Sequence, residues 1–173
     1  MEYIFTLKYQ LPEAAVRDDI VERLGAAGCD DALIGVGLPG RVALEFSREA
    51  GSAKAALFSA LEDVKRAVPQ AKLVEAAPDF VGLTDVADLL GMSRQNIRKL
   101  MVNHGTTFPA PVHEGSAAVW HLADMLGWLQ ARGSYEIAAQ VADVAVLTKQ
   151  INLANAAPML LPAIQREMQA LLA

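Results

Sequence analysis

The chain has 173 residues and a mass of 18.5 kDa, room for one domain or two small ones. With 53% hydrophobic and 20% charged residues and a net charge of −5, it is neither a disordered acidic tail nor a globally basic nucleic-acid coat. One cysteine, Cys29, excludes an intramolecular disulfide framework and fits a reducing compartment. No apolar run of about 18 residues occurs, so no membrane partner is expected. Met1-Glu2-Tyr3 opens without the basic stretch of a signal peptide. The expectation is a cytoplasmic protein.

The first 78 residues read as two strand–helix units joined through a hairpin. Tyr3, Phe5, Leu7, Tyr9 and Leu11 alternate with Glu2, Thr6, Lys8 and Gln10, the two-residue period of a half-buried strand. After Pro12, Val16, Ile20 and Leu24 recur at helical spacing, and Gly25 and Gly28 close the segment. Leu33–Val36 and Val42–Phe46 flank a Leu38-Pro39-Gly40-Arg41 turn. Ser52 is placed to cap the next helix, where Ala56, Leu57, Ala60, Leu61, Val64 and Val68 recur at three and four. Pro69 stops it, and Lys72–Glu75 is a last short strand. The order βαββαβ predicts a ferredoxin-like domain over 1–78, a fold that names no function by itself.

Ala76-Ala77-Pro78-Asp79 reads as a linker. Beyond it, Thr84 is placed to cap a first helix with Asp85 in its first turn, and Val86, Leu89 and Leu90 form its expected buried stripe. Gly91 supplies the left-handed conformation of a sharp reversal, and Ser93 caps a second helix. In that helix Ile97, Leu100 and Met101 turn inward, while Gln95, Arg98 and Lys99 turn outward with Arg94 and Asn96 on the flanks. Ala87, Gly91 and Ile97 hold the spacing of a helix-turn-helix. Arginine and glutamine pair bidentately with guanine and adenine edges, and lysine neutralises phosphate.

Residues 81–130 resemble the winged helix-turn-helix of AlpA- and excisionase-type proteins, relatives of the MerR DNA-binding domain. The matching stretches are Leu83–Ser93, Phe108-Pro109-Ala110-Pro111-Val112 and Val119–Leu129. The resemblance implies that the helix 94–103 enters the major groove of double-stranded DNA. A β-wing after the Phe-Pro-x-Pro stretch would touch backbone or minor groove, locked down through a tryptophan. Arg94, Gln95 and Arg98 become base-edge candidates, Ser93, Asn96 and Lys99 phosphate candidates, and His113 a wing contact. The wing tip, His113–Ala118, lacks the usual basic residue. Residues 81–133 carry four basic and four acidic side chains, which predicts weak non-specific binding.

Other constellations point elsewhere. Gly35-Val36-Gly37-Leu38-Pro39-Gly40 matches G-x-G-x-x-G, but a strand follows where a dinucleotide site needs a helix. His104, His113 and His121 lack the spacing of a zinc site, so no metal or other cofactor is expected. Asp30-Asp31 reads as a turn, and Trp120 and Trp128 as core. No nucleophile with an adjacent base exists, so no enzyme is expected.

From Ser134 to about Ala157 the chain reads as helix, with Ile137, Val141, Val144, Thr148 and Ile151 stepping as a coiled-coil-like seam. Pro158 and Pro162 break it, and a last helix places Ile164, Met168, Leu171 and Leu172 on one side. The whole reading is an α+β protein with three parts: 1–78 for oligomerisation or sensing, 79–133 for DNA, and 134–173 for oligomerisation. The expected function is that of a sequence-specific, homodimeric transcription regulator. The alternative is an antitoxin or adaptor that wraps a protein partner, a toxin or another, with autoregulation joining the two roles. A third reading, ligand sensing at the sheet edge, rests on the glycine-rich hairpin alone.

Overall fold

The computed structural model describes residues 1–12, 17–133 and 135–172. Val16 and Ser134, assigned above to helices, lie outside them. The strand β1 (Glu2–Gln10) is followed by α1 (Arg17–Ala26), β2 (Ala32–Gly35), β3 (Arg41–Glu49), α2 (Ala53–Ala67) and β4 (Lys72–Ala77). The four strands form one sheet in the order β2-β3-β1-β4, with every pairing antiparallel. Tyr3, Phe5, Leu7 and Tyr9 all point to one face of β1, as the alternation requires. There they meet Val42, Leu44 and Phe46 of β3 and the apolar sides of α1 and α2. Phe5 and Phe46, paired across β1 and β3, stack at 5.1 Å. The opposite face leaves Ile4 and Val74 exposed.

Local chemistry sets the ends of these elements. Ser52 Oγ accepts from the Ala55 amide at 3.1 Å and caps α2. Gly40, at φ +74°, turns the chain between β2 and β3, so the G-x-G-x-x-G stretch leads into a strand. Arg48, buried at the end of β3, donates from Nε and Nη2 to both oxygens of Asp31, at 2.7 and 2.9 Å. Its Nη1 reaches Asp63 at 2.9 Å and Ser59 at 3.0 Å, and its Nη2 reaches the Gly28 carbonyl at 2.7 Å. The Asp30-Asp31 turn is therefore held by an arginine fork.

A second core follows, built on β5 (Phe80–Val81), α3 (Leu83–Leu89), α4 (Arg94–Asn103), β6 (His113–Glu114), β7 (Ala118–His121) and α5 (Leu122–Ala131). The expected linker is no tether: Ala76 and Ala77 belong to β4, and Asp79 is fully buried.

The helix expected from Ser134 begins later, as α6 (Ala139–Ala156), after an irregular stretch in which Tyr135 and Ile137 pack onto the second core. Its seam faces this chain's own two cores. Consecutive helical residues diverge by about 100°. Val144 accordingly enters the first core and Ala145 the second, while Thr148 is buried where they meet. Asn152 exchanges hydrogen bonds with both the amide and the carbonyl of Ala76, each at 2.8 Å, and Asn155 donates to Leu73 O at 3.0 Å. These amides occupy backbone groups along the outer edge of β4, which an unprotected sheet would leave open to pairing. The seam expected to serve oligomerisation is thus occupied within the chain itself. A 3-10 turn (Ala157–Met159) leads into α7 (Pro162–Leu172), none of whose residues is buried. No helix among the described residues is long and apolar enough to cross a membrane.

Candidate nucleic-acid interface

The second core presents α4 to solvent. Its positioning starts at α3, where the first turn differs from expectation. Gly82 is the N-cap residue and Thr84 lies exposed inside the helix. Asp85 closes the turn, its Oδ2 accepting from the Gly82 amide at 2.6 Å. Leu89 is 43% exposed, and the buried stripe is Leu83, Val86 and Ala87 instead, with Leu90 half-buried.

The reversal after α3 is a Schellman turn. Met92 N donates to Ala87 O at 2.8 Å and Gly91 N to Asp88 O at 3.2 Å, with Gly91 at φ +61°. Ala87 and Met92 are both apolar, which suits the contact this motif places between them. Ser93 Oγ then accepts from the Asn96 amide at 3.2 Å, three residues on, and starts α4. Ile97 is fully buried and Leu100 and Met101 half-buried, so the inward side of α4 is the one its periodicity predicts.

Everything opposite that side is solvent. Ser93, Arg94, Gln95, Asn96, Arg98 and Lys99 are all exposed. Among the described residues, Arg94, Gln95, Arg98 and Lys99 spend no side-chain hydrogen bond or ion pair on the protein itself. A 10-residue helix is about 15 Å long, enough to traverse a DNA major groove. Val102, missed by the sequence reading, is 68% exposed and shares a stripe with Gln95, Arg98 and Lys99 at helical spacing. The sequence held a signal for it: an apolar residue four positions after Arg98, outside the inward set.

His113 stands apart from this group, on β6. The hairpin of β6 and β7 pairs His113 with Val119 and Glu114 with Ala118. A β-carbon at Gly115 would come within 2.7 Å of His113 Nε2, so the imidazole lies folded over the hairpin tip. The hairpin is anchored from below: Trp120 Nε1 donates to Pro109 O at 2.9 Å, and β7 pairs with β5 through Trp120 and Val81. Phe108 packs edge-on against Trp128 at 5.0 Å. The guanidinium of Arg132 lies 4.8 Å above that indole and donates to His104 Nε2 at 3.1 Å. His104 is also the C-cap residue of α4, so this aromatic stack holds the far end of the exposed helix.

Three of the acidic residues are engaged away from the outward face of α4. Asp85 serves its own cap, Asp124 pairs with Lys149 of α6 at 2.7 Å, and Asp79 is buried with His121 and Asn152. The three histidines are dispersed over the end of α4, the hairpin and the Asp79 junction.

Among the described residues, α4 thus stands on a packed core with the cations of its outward face unpaired. Residues 79–133 match the family model of the prophage CP4-57 regulatory protein (AlpA), about a third of the chain. This segment is thus similar to AlpA, a prophage regulatory protein. Comparison with curated proteins and with solved structures found no match.

Proposed function

We propose that this protein is a sequence-specific transcriptional regulator that binds double-stranded DNA as a homodimer, with α4 in the major groove. The observation that carries the reading is the free outward face of α4, lying within the AlpA-type segment. In this reading α3 and α4 are the helix-turn-helix and β6–β7 the wing. Arg94, Gln95 and Arg98 meet base edges, Val102 meets a thymine methyl, and Ser93, Asn96 and Lys99 meet phosphates. His113 touches the backbone from the wing. The βαββαβ domain is ferredoxin-like and senses or oligomerises. No catalytic role and no cofactor is assigned.

A segment without net positive charge gains little from phosphate neutralisation, so affinity must come from base contacts and from two copies acting together. A two-fold dimer reads half-sites about one helical turn apart, or a multiple of that. The test is fluorescence anisotropy on the duplex upstream of its own gene, against a scrambled duplex, at several salt concentrations. Selective binding that Arg98→Ala abolishes supports the reading. Equal weak binding to every duplex sinks it and favours the adaptor or antitoxin role.

A further inference from the structure

We infer that α7 is a self-pairing helix: it docks antiparallel on α7 of a second copy and forms the two-fold interface of the dimer. This rests on the homodimer part of the reading above and names the surface that makes it.

Among the described residues, α7 has no partner of its own. It is 11 residues long and none of them is buried. Helices shorter than about 12–15 residues are marginal in water without tertiary packing. Leu160, Leu161, Ile164, Met168, Leu171 and Leu172 are between 44% and 79% exposed. These six form an apolar patch on the order of a few hundred Å², the scale that marks interaction surfaces, though below the ~800 Å² per partner of a standard-size interface. The seam of α6 is occupied by the two cores and does not cover them.

The spacing of the apolar residues identifies the occupant. Leu161, the residue just before α7, and Ile164, Met168 and Leu171 within it step by three, four and three. That series reads the same in both directions. An antiparallel pair centred on Arg166 therefore sets Leu161 against Leu171 and Ile164 against Met168, twice over. Such self-complementarity is what a two-fold interface requires, since residue i meets j while j meets i. The ionisable side chains of α7, Arg166 and Glu167, cancel, so net charge does not oppose association. The step of three and four is also the spacing that lets two helices interdigitate along a narrow seam.

The test is the mass of the full chain in solution by light scattering at about 20 μM, a concentration at which a micromolar association is populated. The expected result is twice 18.5 kDa. Ile164→Glu and Met168→Glu should each halve that mass with the thermal transition of the cores unmoved, and Gln169→Glu, on the outer side, should leave it unchanged. An oxidised equimolar mixture of Ile164→Cys and Met168→Cys chains should form the mixed disulfide well beyond the roughly one-half share that random pairing alone would give. A monomeric wild-type chain, a dimer that survives Ile164→Glu, or a mixed disulfide at or below that share would each overturn the inference. A dimer lost in Ile164→Glu, coupled with no selectivity among duplexes, would uphold this interface and remove the DNA reading. Selective DNA binding by a monomer would do the reverse.

Discussion

Asp79 and His121 are 42 residues apart in sequence, yet His121 Nδ1 lies 2.7 Å from Asp79 Oδ1. The other oxygen of the same carboxylate accepts from Asn152 Nδ2 at 2.8 Å, and the Asp79 carbonyl accepts from the Leu122 amide at 2.7 Å. Three pieces of chain meet at this residue: the exit from β4, the start of α5 and the middle of α6. Thr148 Oγ1 adds a fourth tie by donating to Pro78 O at 2.6 Å. The sheet domain and the second core are thereby joined through hydrogen bonds centred on Asp79 and its neighbour Pro78.

Replacing Asp79 tests that joint. Asp79→Ala strands the His121 and Asn152 donors in a buried site, and we expect a loss of about 2–4 kcal/mol in urea unfolding. Asp79→Asn keeps the shape and one acceptor and should cost about half as much. Equal stability of Asp79→Ala and wild type would refute the joint.

Gly91 tests the turn between α3 and α4. Its φ of +61° is the left-handed region, and a β-carbon there would meet nothing within 4 Å. The cost of Gly91→Ala is then purely conformational, about 1 kcal/mol. Gly91→Asn should cost less, because asparagine tolerates this region. Thermal melts of the two variants give the order directly.

Alkaline pH should destabilise the protein. Burial, reinforced by the charge of Asp63, pushes the Cys29 thiol up to about 11 from its ordinary 9. Burial raises the Tyr9 phenol as well, with Cys29 adding to it. Both groups are neutral when protonated, so folding is favoured while they hold their protons. That contribution is full below pH 9 and is lost as pH rises through the folded values. Unfolding free energy should therefore fall between about pH 9 and 11, and Cys29→Ala should flatten the slope. The native thiol should also resist alkylation at pH 8 until the protein is unfolded.

The outward face of α4 yields a contrast between two neighbours. Arg98→Ala should cost about 1–3 kcal/mol on the preferred duplex and relax the sequence preference. Lys99→Ala should weaken binding to all duplexes alike and reduce the salt slope by about 1 per monomer. Anisotropy titrations at several salt concentrations separate the two effects.

Much of this was legible in the sequence because its causes are local. Alternation along β1, the Ser52 and Ser93 caps, Gly91 and the inward and outward sides of α4 depend on residues within a few positions of one another. The first turn of α3 shows where local reading slips. Thr84 and Gly82 both stand near the start of the helix, and only the hydrogen bond that the Gly82 amide donates to Asp85 selects between them. Leu89 was placed inside because it is apolar, but the buried stripe runs through Ala87, whose small side chain admits the neighbouring turn.

Periodicity and capping by themselves determined that residues 94–103 form a helix with a free polar side, since both act over one or two turns. Tertiary structure alone decided what that helix stands on. The seam of α6 reads as a surface for another chain until the two cores are seen to occupy it, and Asp79 reads as linker until His121 and Asn152 surround it. A hydrophobic pattern states that a face will be covered, but apolar contact is non-directional and carries no address for its partner. Hydrogen bonds between residues 42 to 82 positions apart supply that address, and they exist only once the chain has folded.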